Sequence, residues 1–257
     1  MASLKDSTVC ITGASAGIGL ACAREFAKHG SRLLLCARRV ERLRNLADEL
    51  KKSHGTISYV FTLDVMKPGD VEKAFTTLPD EWRAIDILIN NAGLSRGLDR
   101  VQEGKLQDWE EMIDTNIKGL LYVTRQVLPG MVTRRSGHVL NLGSIAGHQV
   151  YPGGNVYCAT KSAVNALSHA MRMDLLGTGV RVCSIEPGLV QTEFSEVRYH
   201  GDKEKAGVVY RNTRPLKPED IAEVVVFTAM RPPHVDISEV IIMPTDQASV
   251  YHVHRTT

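Results

Sequence analysis

The first third of the chain alternates short apolar runs with longer segments of helical spacing, and this alternation constrains the fold more than any other feature. Residues 8–12 form the first apolar run, and a glycine-rich turn over 13–19 leads into helical spacing over 18–29. The same order recurs, with further predicted strands over 32–37, 57–63 and 85–89. Strands separated by helices run parallel through right-handed crossovers, so that helices cover both faces of the sheet. The sequence therefore predicts an α/β fold with a doubly wound, Rossmann-like sheet.

The second half continues this pattern with longer helices. A helix is predicted over 108–134, and Pro129 and Gly130 should bend or break it near its end. The elements that follow are predicted as a strand over 137–142, a helix over 155–176, a strand over 180–185, a helix over 218–230 and a strand over 239–243. Residues 188–217 read as a long loop with a helical insert around 203–211, and loops of this length in a compact domain are usually functional lids. An extended tail is expected over 244–257.

Composition and charge narrow the class of protein. The 257 residues can bury a full core, and no shift in composition marks a second domain, so one domain over 1–257 is expected. The 31 basic residues nearly match the 29 acidic ones, giving a net charge of +2, and the charges are scattered. This balance predicts neither nucleic-acid binding nor attraction to a membrane surface. The first apolar run is also too short for a signal peptide or a membrane span.

The cysteine and histidine patterns predict no disulfide and no metal. The five cysteines stand singly inside periodic segments, which favours buried, reduced thiols and a cytoplasmic location. Cys158 is the one candidate for a reactive thiol, although packing is the favoured interpretation. His252 and His254 have alternate spacing but no third ligand nearby, so an ordered strand or a subunit contact is preferred to a metal site.

The glycine turn is the first candidate binding element. Gly13, Gly17 and Gly19 stand directly between a strand and a helix. Glycine there lets the backbone turn tightly and approach a pyrophosphate, to which the helix amino terminus presents NH groups and a positive dipole. In this context the turn predicts a nucleotide site rather than a purely structural turn.

The end of the second strand indicates which dinucleotide binds. An acidic residue at this position would bind the ribose 2′-hydroxyl of NAD(H). Arg38 and Arg39 stand there instead, and guanidinium groups suit a 2′-phosphate. The alternative is that one or both are solvated charges at the start of a helix. We predict NADP(H) as the cofactor.

Polar or small residues also follow the third and fourth strands. Asp64 and Val65 are placed to meet an adenine ring, and Asn91, Ala92 and Gly93 allow a close approach to a ribose. Each group could equally be an ordinary strand terminus. Because ligands of parallel sheets bind along the carboxyl edge of the strands, we expect both groups in the site.

Tyr157 and Lys161 are the strongest candidates for chemistry. Four residues apart on a helix, they share one face, so the ammonium can act on the phenol at close range. A nearby cation favours the phenolate and lowers a tyrosine pKa from its ordinary value of about 10. The pair therefore predicts a tuned proton donor, accompanied by Ser144 in the preceding loop.

These motifs together resemble the short-chain dehydrogenase/reductase family from about residue 7 to the last strand. The resemblance rests on the glycine turn, residues 90–93, Asn116, Ser144, Tyr157, Lys161 and Pro187 with Gly188. It implies one Rossmann-like domain with a seven-stranded parallel sheet. It also implies a homo-oligomer, a tetramer or alternatively a dimer, assembled through the two long helices.

The resemblance implies a role for each matched residue. Tyr157 would be the acid in reduction and the base in oxidation, Lys161 its partner and a ligand of the nicotinamide ribose, and Ser144 a hydrogen-bond donor to the reacting oxygen. Asn116 would hold a water in a proton relay toward Lys161. The cofactor-binding residues would be Gly13, Ala14, Ser15, Gly17, Ile18, Gly19, Arg38, Arg39, Asp64, Val65, Asn91, Ala92, Gly93, Tyr157, Lys161, Pro187, Gly188, Val190 and Thr192. Thr192 would bind the carboxamide, with a helix cap as the alternative.

Within the family, residues 186–195, 201–202 and 253–255 resemble the NADP-dependent 3-hydroxy acid dehydrogenases. This similarity implies an oxidoreductase acting on serine, allo-threonine, 3-hydroxypropionate or a related small acid. The alternatives are a broad carbonyl reductase for neutral ketones, aldehydes or steroids, and a non-catalytic NADPH-binding sensor. Intact Ser144, Tyr157 and Lys161 argue against the sensor.

A 3-hydroxy acid also needs a partner for its carboxylate. Arg198 and Arg96 are the candidates, and for each the alternative is a solvated surface arginine.

Overall fold

Seven parallel strands form one sheet in the computed structural model, which describes residues 3–256. The strands are β1 (Thr8–Thr12), β2 (Arg32–Ala37), β3 (Ser58–Thr62), β4 (Ile87–Asn90), β5 (Gly137–Leu142), β6 (Val180–Pro187) and β7 (Glu239–Ile242). Their order is β3-β2-β1-β4-β5-β6-β7, and each neighbouring pair is parallel. The chain therefore reverses its direction of winding between β1 and β4, where ligands of such sheets bind. The predicted seven-stranded sheet is confirmed.

Helices cover both faces of this sheet, as predicted. They are α1 (Gly17–Lys28), α2 (Val40–His54), α3 (Pro68–Thr76), α4 (Asp80–Arg83), α5 (Leu106–Ile113), α6 (Leu120–Arg134), α7 (Asn155–Asp174), α8 (Phe194–Arg198), α9 (Lys203–Tyr210) and α10 (Pro218–Ala229). One apolar cluster joins Ile11 of β1 to Phe26 of α1 and Val225 of α10. The other joins the adjacent Cys10 to Val123 of α6. Successive residues of β1 thus serve opposite faces, and the strand is buried throughout.

The helix predicted over 108–134 is interrupted in a different place from the one expected. Residues Asp114–Gly119 form a π-helical segment between α5 and α6, whereas Pro129 lies inside α6. The predicted break near Pro129 is wrong because Pro129 and Arg125, whose carbonyl loses its helical partner to the proline, are both exposed. The π-helical segment contains Asn116, and such segments frequently mark functional sites.

Residues 188–217 contain two helices rather than the single predicted insert. The expected insert corresponds to α9, and α8 was not predicted because five residues are too few to show helical periodicity. A parallel bridge between Val190 and Leu216 closes the ends of the segment against each other.

The tail is not extended as predicted. A bridge between Gln247 and Val253 makes it turn back on itself. Arg255 then donates hydrogen bonds to the carbonyls of Val209 and Arg211 at the end of α9. The tail thus fastens α9 to the body of the protein, and Thr257, the last residue of the predicted tail, lies outside the described residues.

The structure also bears on the state of the cysteines and on whether a helix could cross a membrane. All five cysteines are free and buried, and burial raises the pKa of Cys158, as expected for a packing role. Across residues 3–256, no helix has both the length and the apolar character that a membrane crossing requires.

Candidate active site

A cavity of about 540 Å³ opens at the carboxyl edge of the sheet, across the reversal between β1 and β4. Most of the predicted site residues line it, namely Gly13, Ser15, Gly17, Ile18, Arg38, Arg39, Asp64, Val65, Asn91, Ala92, Gly93, Ser144, Tyr157, Lys161, Pro187, Gly188, Val190 and Thr192. Ala14, Gly19 and Asn116 stand behind this lining. The fold therefore brings together residues from nearly the whole length of the chain.

The glycine turn and the end of β4 hold each other in place. The Asn91 amide donates to the carbonyls of Thr12 (2.9 Å) and Gly13 (3.2 Å). The Thr12 hydroxyl accepts from the backbone NH groups of Asn91 (3.0 Å) and Ala92 (2.9 Å). The Cβ of any side chain at Gly19 would collide with Asn91 Nδ2, so glycine is required there. Gly19 thus acts on the site by admitting Asn91, and Thr12 belongs to the same network.

Arginines occupy the end of the cavity beside β2. Arg38 lines it, and Arg39 Nε donates to Ser15 Oγ at 3.3 Å. Arg39 and Arg42 also pair with the two carboxylate oxygens of Glu193, at 2.8 and 2.7 Å. Burial opposes ionisation, but hydrogen bonds from Arg42 and Arg39 hold the pKa of Glu193 below its ordinary value. Neither Arg42 nor Glu193 was predicted as a site residue. The two form an ion pair although they lie far apart in the sequence, and no local pattern reveals such a pair.

Tyr157 projects from α7 into the cavity and is 8% exposed. Burial, and then the neighbouring Tyr151, raise the pKa of its phenol above the ordinary value of 10.0, while Arg198 and a hydrogen bond with Ser144 act to lower it. The expected lowering by Lys161 is not found. The cation that opposes burial here is Arg198, with its guanidinium carbon 5.2 Å from the Tyr157 ring centroid.

Lys161 is directed toward the sheet rather than toward the phenol. Its Nζ donates to the Leu142 carbonyl at 2.7 Å and lies 6.0 Å from the Tyr157 ring centroid. Burial lowers the pKa of Lys161 to about 8, an effect that the carboxylate of Glu186 opposes. The direction and distance of the Lys161 ammonium explain why the sequence-based expectation for the phenol fails.

Asn116 supports the site from within the π-helical segment. Its Oδ1 accepts from Leu94 N at 2.9 Å, and its Nδ2 donates to Leu94 O (2.8 Å) and to Thr160 Oγ1 (3.0 Å). The side chain therefore fixes the loop that follows Gly93 against α7. Its role in a water relay toward Lys161 stays a prediction.

Arg198 is the cation at the substrate end. Its guanidinium lies over the rings of Tyr157 and Phe194, 5.2 and 5.1 Å from their centroids. Its Nε donates to Ser95 Oγ and one Nη to Tyr151 OH, both at 3.1 Å. Within residues 3–256, the other Nη has no hydrogen-bond partner in the protein. A charged donor thus stands beside the phenol in the wall of the cavity.

Arg96 is the other candidate to bind the substrate carboxylate, but its side chain is bonded to other parts of the protein. Its Nε pairs with Glu111 at 2.7 Å and Nη1 donates to the Val197 carbonyl at 2.7 Å, and it does not line the cavity. Arg96 therefore links α5 to α8, and of the two candidates only Arg198 lines the cavity.

Residues of the tail after β7 complete the wall of the cavity. Gln247 and Val250 line the cavity, although the sequence did not indicate them. The Gln247 side chain accepts from Leu189 N at 2.8 Å, and its Oε1 occupies the space that a Cβ on Gly188 would need. The Thr192 hydroxyl accepts from Phe194 N at 3.1 Å, which is the capping alternative. This contact leaves the hydroxyl proton available for a ligand.

One group of residues has the composition of a metal site. Ligand atoms of His148, Glu186 and Glu239 all lie within 4.8 Å of one another. His148 Nε2 and Glu239 Oε1 are already paired at 2.7 Å, which accounts for the proximity of these two groups. His252 Nδ1 bonds to the Ser249 hydroxyl at 2.8 Å. The expectation that the protein uses no metal stays a prediction.

The sequence of this chain is similar to those of known dehydrogenases. Residues 7–203 match the short chain dehydrogenase family. An NADP-dependent 3-hydroxy acid dehydrogenase of Salmonella typhi is 50% identical over 250 residues, which cover 96% of this chain and 99% of that protein. A protein of the same name from Schizosaccharomyces pombe is 43% identical over 256 residues, covering 99% of each chain.

Solved structures are similar over the same length. The closed form of serine dehydrogenase complexed with NADP+ has a TM-score of 0.90 and 48% identity, covering 97% of this chain and 100% of that one. An alcohol dehydrogenase from Thermococcus sibiricus, complexed with 5-hydroxy-NADP, has a TM-score of 0.84 and 30% identity, covering 96% and 100%. The family match over residues 7–203 and the relatives that cover nearly the whole chain agree, and the chain belongs to the short-chain dehydrogenase/reductase family.

Proposed function

We propose that the protein is an NADP(H)-dependent oxidoreductase that interconverts a small 3-hydroxy acid and its 3-oxo partner. The substrates belong to the class of serine, allo-threonine and 3-hydroxypropionate. The observation that carries the proposal is the guanidinium of Arg198 on the ring of Tyr157, because it puts an anion-binding group beside a proton donor. The relatives named as NADP-dependent 3-hydroxy acid dehydrogenases support it.

The cavity fits a phosphorylated dinucleotide. Gly13 has a φ of +66°, and a Cβ there would lie 2.9 Å from Asn91 Nδ2, so the bare backbone forms the wall at the turn. Arg38 and Arg39 supply cationic donors at the β2 end, where a 2′-phosphate would be held. NADPH supplies the hydride when bound. Asp64, Val65 and Gly93 would meet its adenosine and ribose, and Thr192 its carboxamide.

Tyr157 provides the proton for carbonyl reduction and accepts it for alcohol oxidation. Because burial raises the pKa of Tyr157, the phenol keeps its proton until negative charge develops on the substrate oxygen. Ser144 donates a second hydrogen bond to that oxygen, and Lys161 binds the nicotinamide ribose from the α7 side. These groups hold the proton and the reacting oxygen at one point in a wall largely shielded from water.

Arg198 would bind the substrate carboxylate. The Nη group with no partner among the described residues provides a charge-assisted hydrogen bond, and Ser95 and Tyr151 fix the direction of the guanidinium. A bound carboxylate would thereby place the C3 oxygen near Tyr157 rather than leave it free to rotate. This role distinguishes the proposal from a broad carbonyl reductase, for which the arginine would have no anionic partner. An NADPH sensor would need neither Arg198 nor the Tyr157 proton donor.

The test compares an acid with a neutral alcohol. NADPH formation is measured with serine, 3-hydroxypropionate and cyclohexanol, for the wild type and an Arg198→Met variant. We expect the variant to lose about tenfold to a hundredfold in kcat/KM for the acids, the scale of a charge-assisted hydrogen bond, and much less for cyclohexanol. An Arg231→Met variant is the control, since Arg231 lies on the Phe227 ring at 3.9 Å outside the cavity.

Equal losses on acids and cyclohexanol would contradict the carboxylate role. A wild type that oxidises cyclohexanol but none of the acids would favour the carbonyl reductase. Tight NADPH binding without turnover of any substrate would favour the sensor.

The organisation of the chain is part of the same proposal. Residues 1–257 would act as one domain whose 188–217 segment, holding Arg198, closes over the substrate as a lid. Assembly into a homo-tetramer, or alternatively a dimer, would cover apolar side chains such as Leu121 of α6, which is 38% exposed. Light scattering after size-exclusion chromatography measures this assembly. The buried, reduced thiols support a cytoplasmic location.

A further inference from the structure

Glu186 is a buried carboxylate at the end of β6 that the proposed reaction does not use. It immediately precedes Pro187 and Gly188 in the cavity wall, yet its own side chain is fully buried. An ionisable side chain in such a place is costly unless its charge is compensated. Its surroundings show what compensates it.

The carboxylate is bonded to the loop that carries Ser144. The backbone NH of Ser144 and the hydroxyl of Ser184 donate to its two oxygens. A Cβ on Gly143 would collide with both of these oxygens, so glycine at 143 is what lets the loop approach the carboxylate. Glu186 therefore fixes the backbone from which the Ser144 hydroxyl projects.

The loop that Glu186 binds also accepts a hydrogen bond from the buried ammonium of Lys161. Lys161 donates to the carbonyl of Leu142, one residue from Gly143, and Glu186 is the charge that opposes the effect of burial on it. The other titratable groups around Glu186 are His148 after the turn Ile145–Gly147, Glu239 of β7 and Cys183 of β6 itself. Glu239 pairs with His148 at 2.7 Å, whereas Lys161 forms no ion pair with Glu186 within 4 Å and acts on its charge at longer range.

We propose that Glu186 is a positioning residue that keeps Lys161 cationic and fixes the Ser144 loop during proton transfer. The inference rests on the proposed function for its catalytic consequence, but the state of Lys161 can be measured without any substrate. Glutamine at 186 retains an acceptor for Ser144 N and nearly the same volume; it removes the charge and presents an amide NH2 to the Ser184 hydroxyl, which can accept from it.

The experiment is an NMR titration of protein labelled with ¹³C at the lysine ε carbons. The Lys161 signal is identified as the one missing from a Lys161→Met variant. In Glu186→Gln we expect the titration midpoint of Lys161 to fall by at least about half a pH unit, because the opposing charge is gone. The alkaline limb of kcat for carbonyl reduction should move to lower pH by a similar amount.

Glu239→Gln is the matched control. It removes a carboxylate from the same cluster, but one that is bonded to His148 and Asn165 and not to Ser144. We expect the Lys161 midpoint and the pH profile to remain those of the wild type. Glu186→Met is the second variant should Glu186→Gln not fold, since it also removes the charge and should move the midpoint in the same direction.

An unchanged Lys161 midpoint in Glu186→Gln would overturn the inference, whatever happened to activity, because a merely structural residue would lower turnover without moving the titration. An equal shift in Glu239→Gln would also overturn it. Failure of every hydroxy acid as substrate would contradict the proposed function, whereas the Lys161 titration would still decide the role of Glu186.

Discussion

Tyr157 experiences opposing influences on its phenol. Burial and the neighbouring Tyr151 raise its pKa, while Arg198 and Ser144 act to lower it. Because a raised pKa makes the phenol a weaker acid, we expect it to give up its proton only as negative charge develops on the substrate oxygen, with Arg198 offsetting part of the effect of burial. If Arg198 binds the substrate as proposed, the same side chain also acts on the pKa of the proton donor.

The Tyr157→Phe variant tests this proton donor. Removing the hydroxyl should lower turnover by at least about a hundredfold, the usual scale of general acid catalysis. NADPH binding should be retained, since the ring and its packing on Phe194 remain. Stopped-flow turnover and a fluorescence titration with NADPH measure the two effects. Turnover close to that of the wild type would remove Tyr157 from this role.

The Arg38→Ala, Arg39→Ala double variant tests cofactor choice. Losing two guanidinium groups should reduce the preference for NADPH over NADH by at least about a hundredfold, because each charge-assisted bond contributes about 1.5–3 kcal/mol. The ratio of kcat/KM for the two cofactors is the measurement. Arg44→Ala on the same helix is the control, since Arg44 pairs with the exposed Glu41. An unaltered ratio in the double variant would show that the 2′-phosphate is held elsewhere.

At the scale of elements, the site depends on contacts between segments far apart in sequence. The turn before α1 is held by Asn91 after β4, and the loop that follows β4 is held at Leu94 by Asn116 of the π-helical segment. Each contact joins the backbone of one element to a side chain of another. The loops around the cavity are therefore fixed relative to the sheet by the same residues that line or support the cavity.

Gly19→Ala probes this interlock. The new Cβ would collide with Asn91 Nδ2 and stand 2.8 Å from Gly13 O, so the turn must shift. We expect a destabilisation of about 1–3 kcal/mol, typical of overpacking, together with weaker NADPH binding. Denaturant unfolding and a binding titration measure both.

Gly207→Ala in α9 is the matched control for this substitution. Nothing lies within 4 Å of its added Cβ, so helix propensity alone should act and stabilise the protein by up to about 1 kcal/mol. A Gly19→Ala protein as stable as the wild type, with full NADPH affinity, would mean that the turn yields without cost.

The strands and main helices could be predicted because the residues that they bury follow apolar patterns between neighbouring positions in the sequence. The continuous apolar run of β1 and the spacing of Leu43, Leu46 and Leu50 in α2 each require only neighbouring residues to recognise. The π-helical segment could not be found this way. Its Asn116 side chain binds the backbone of Leu94, which lies in another segment of the chain, and local sequence spacing does not reveal such a contact. Glu193 and Glu186 were missed for the same reason, as their partners come from distant elements.

At the scale of the whole molecule, one buried histidine should link stability to pH. His138 of β5 is 1% exposed, and neither ring nitrogen has a partner among the described residues. Burial, and then the charge of Arg181, lower the pKa of His138 from 6.5 to about 3. Between these values the unfolded chain binds the proton and the folded protein does not, so stability falls as the pH falls.

The His138→Leu variant tests this linkage. For the wild type we expect His138 to contribute a loss of about 1.4 kcal/mol of unfolding free energy per pH unit below pH 6.5. The variant should lack this contribution and show a flatter dependence in denaturant unfolding at several pH values. His234→Leu, at an exposed position, should keep the wild-type slope. Identical slopes in all three proteins would show that His138 does not govern acid stability.

The attachment of the tail to α9 determines where the protein tolerates fusion. Arg255 bonds the last turn of α9, and Gln247 with Val250 forms part of the cavity wall. An affinity tag joined after residue 257 would therefore disturb the tail residues that line the cavity and their contacts with α9. A tag before residue 1 adjoins Ser3 and Lys5, far along the chain from that segment and exposed. Purification through an N-terminal tag is accordingly the arrangement under which measured kinetics should match those of the untagged enzyme.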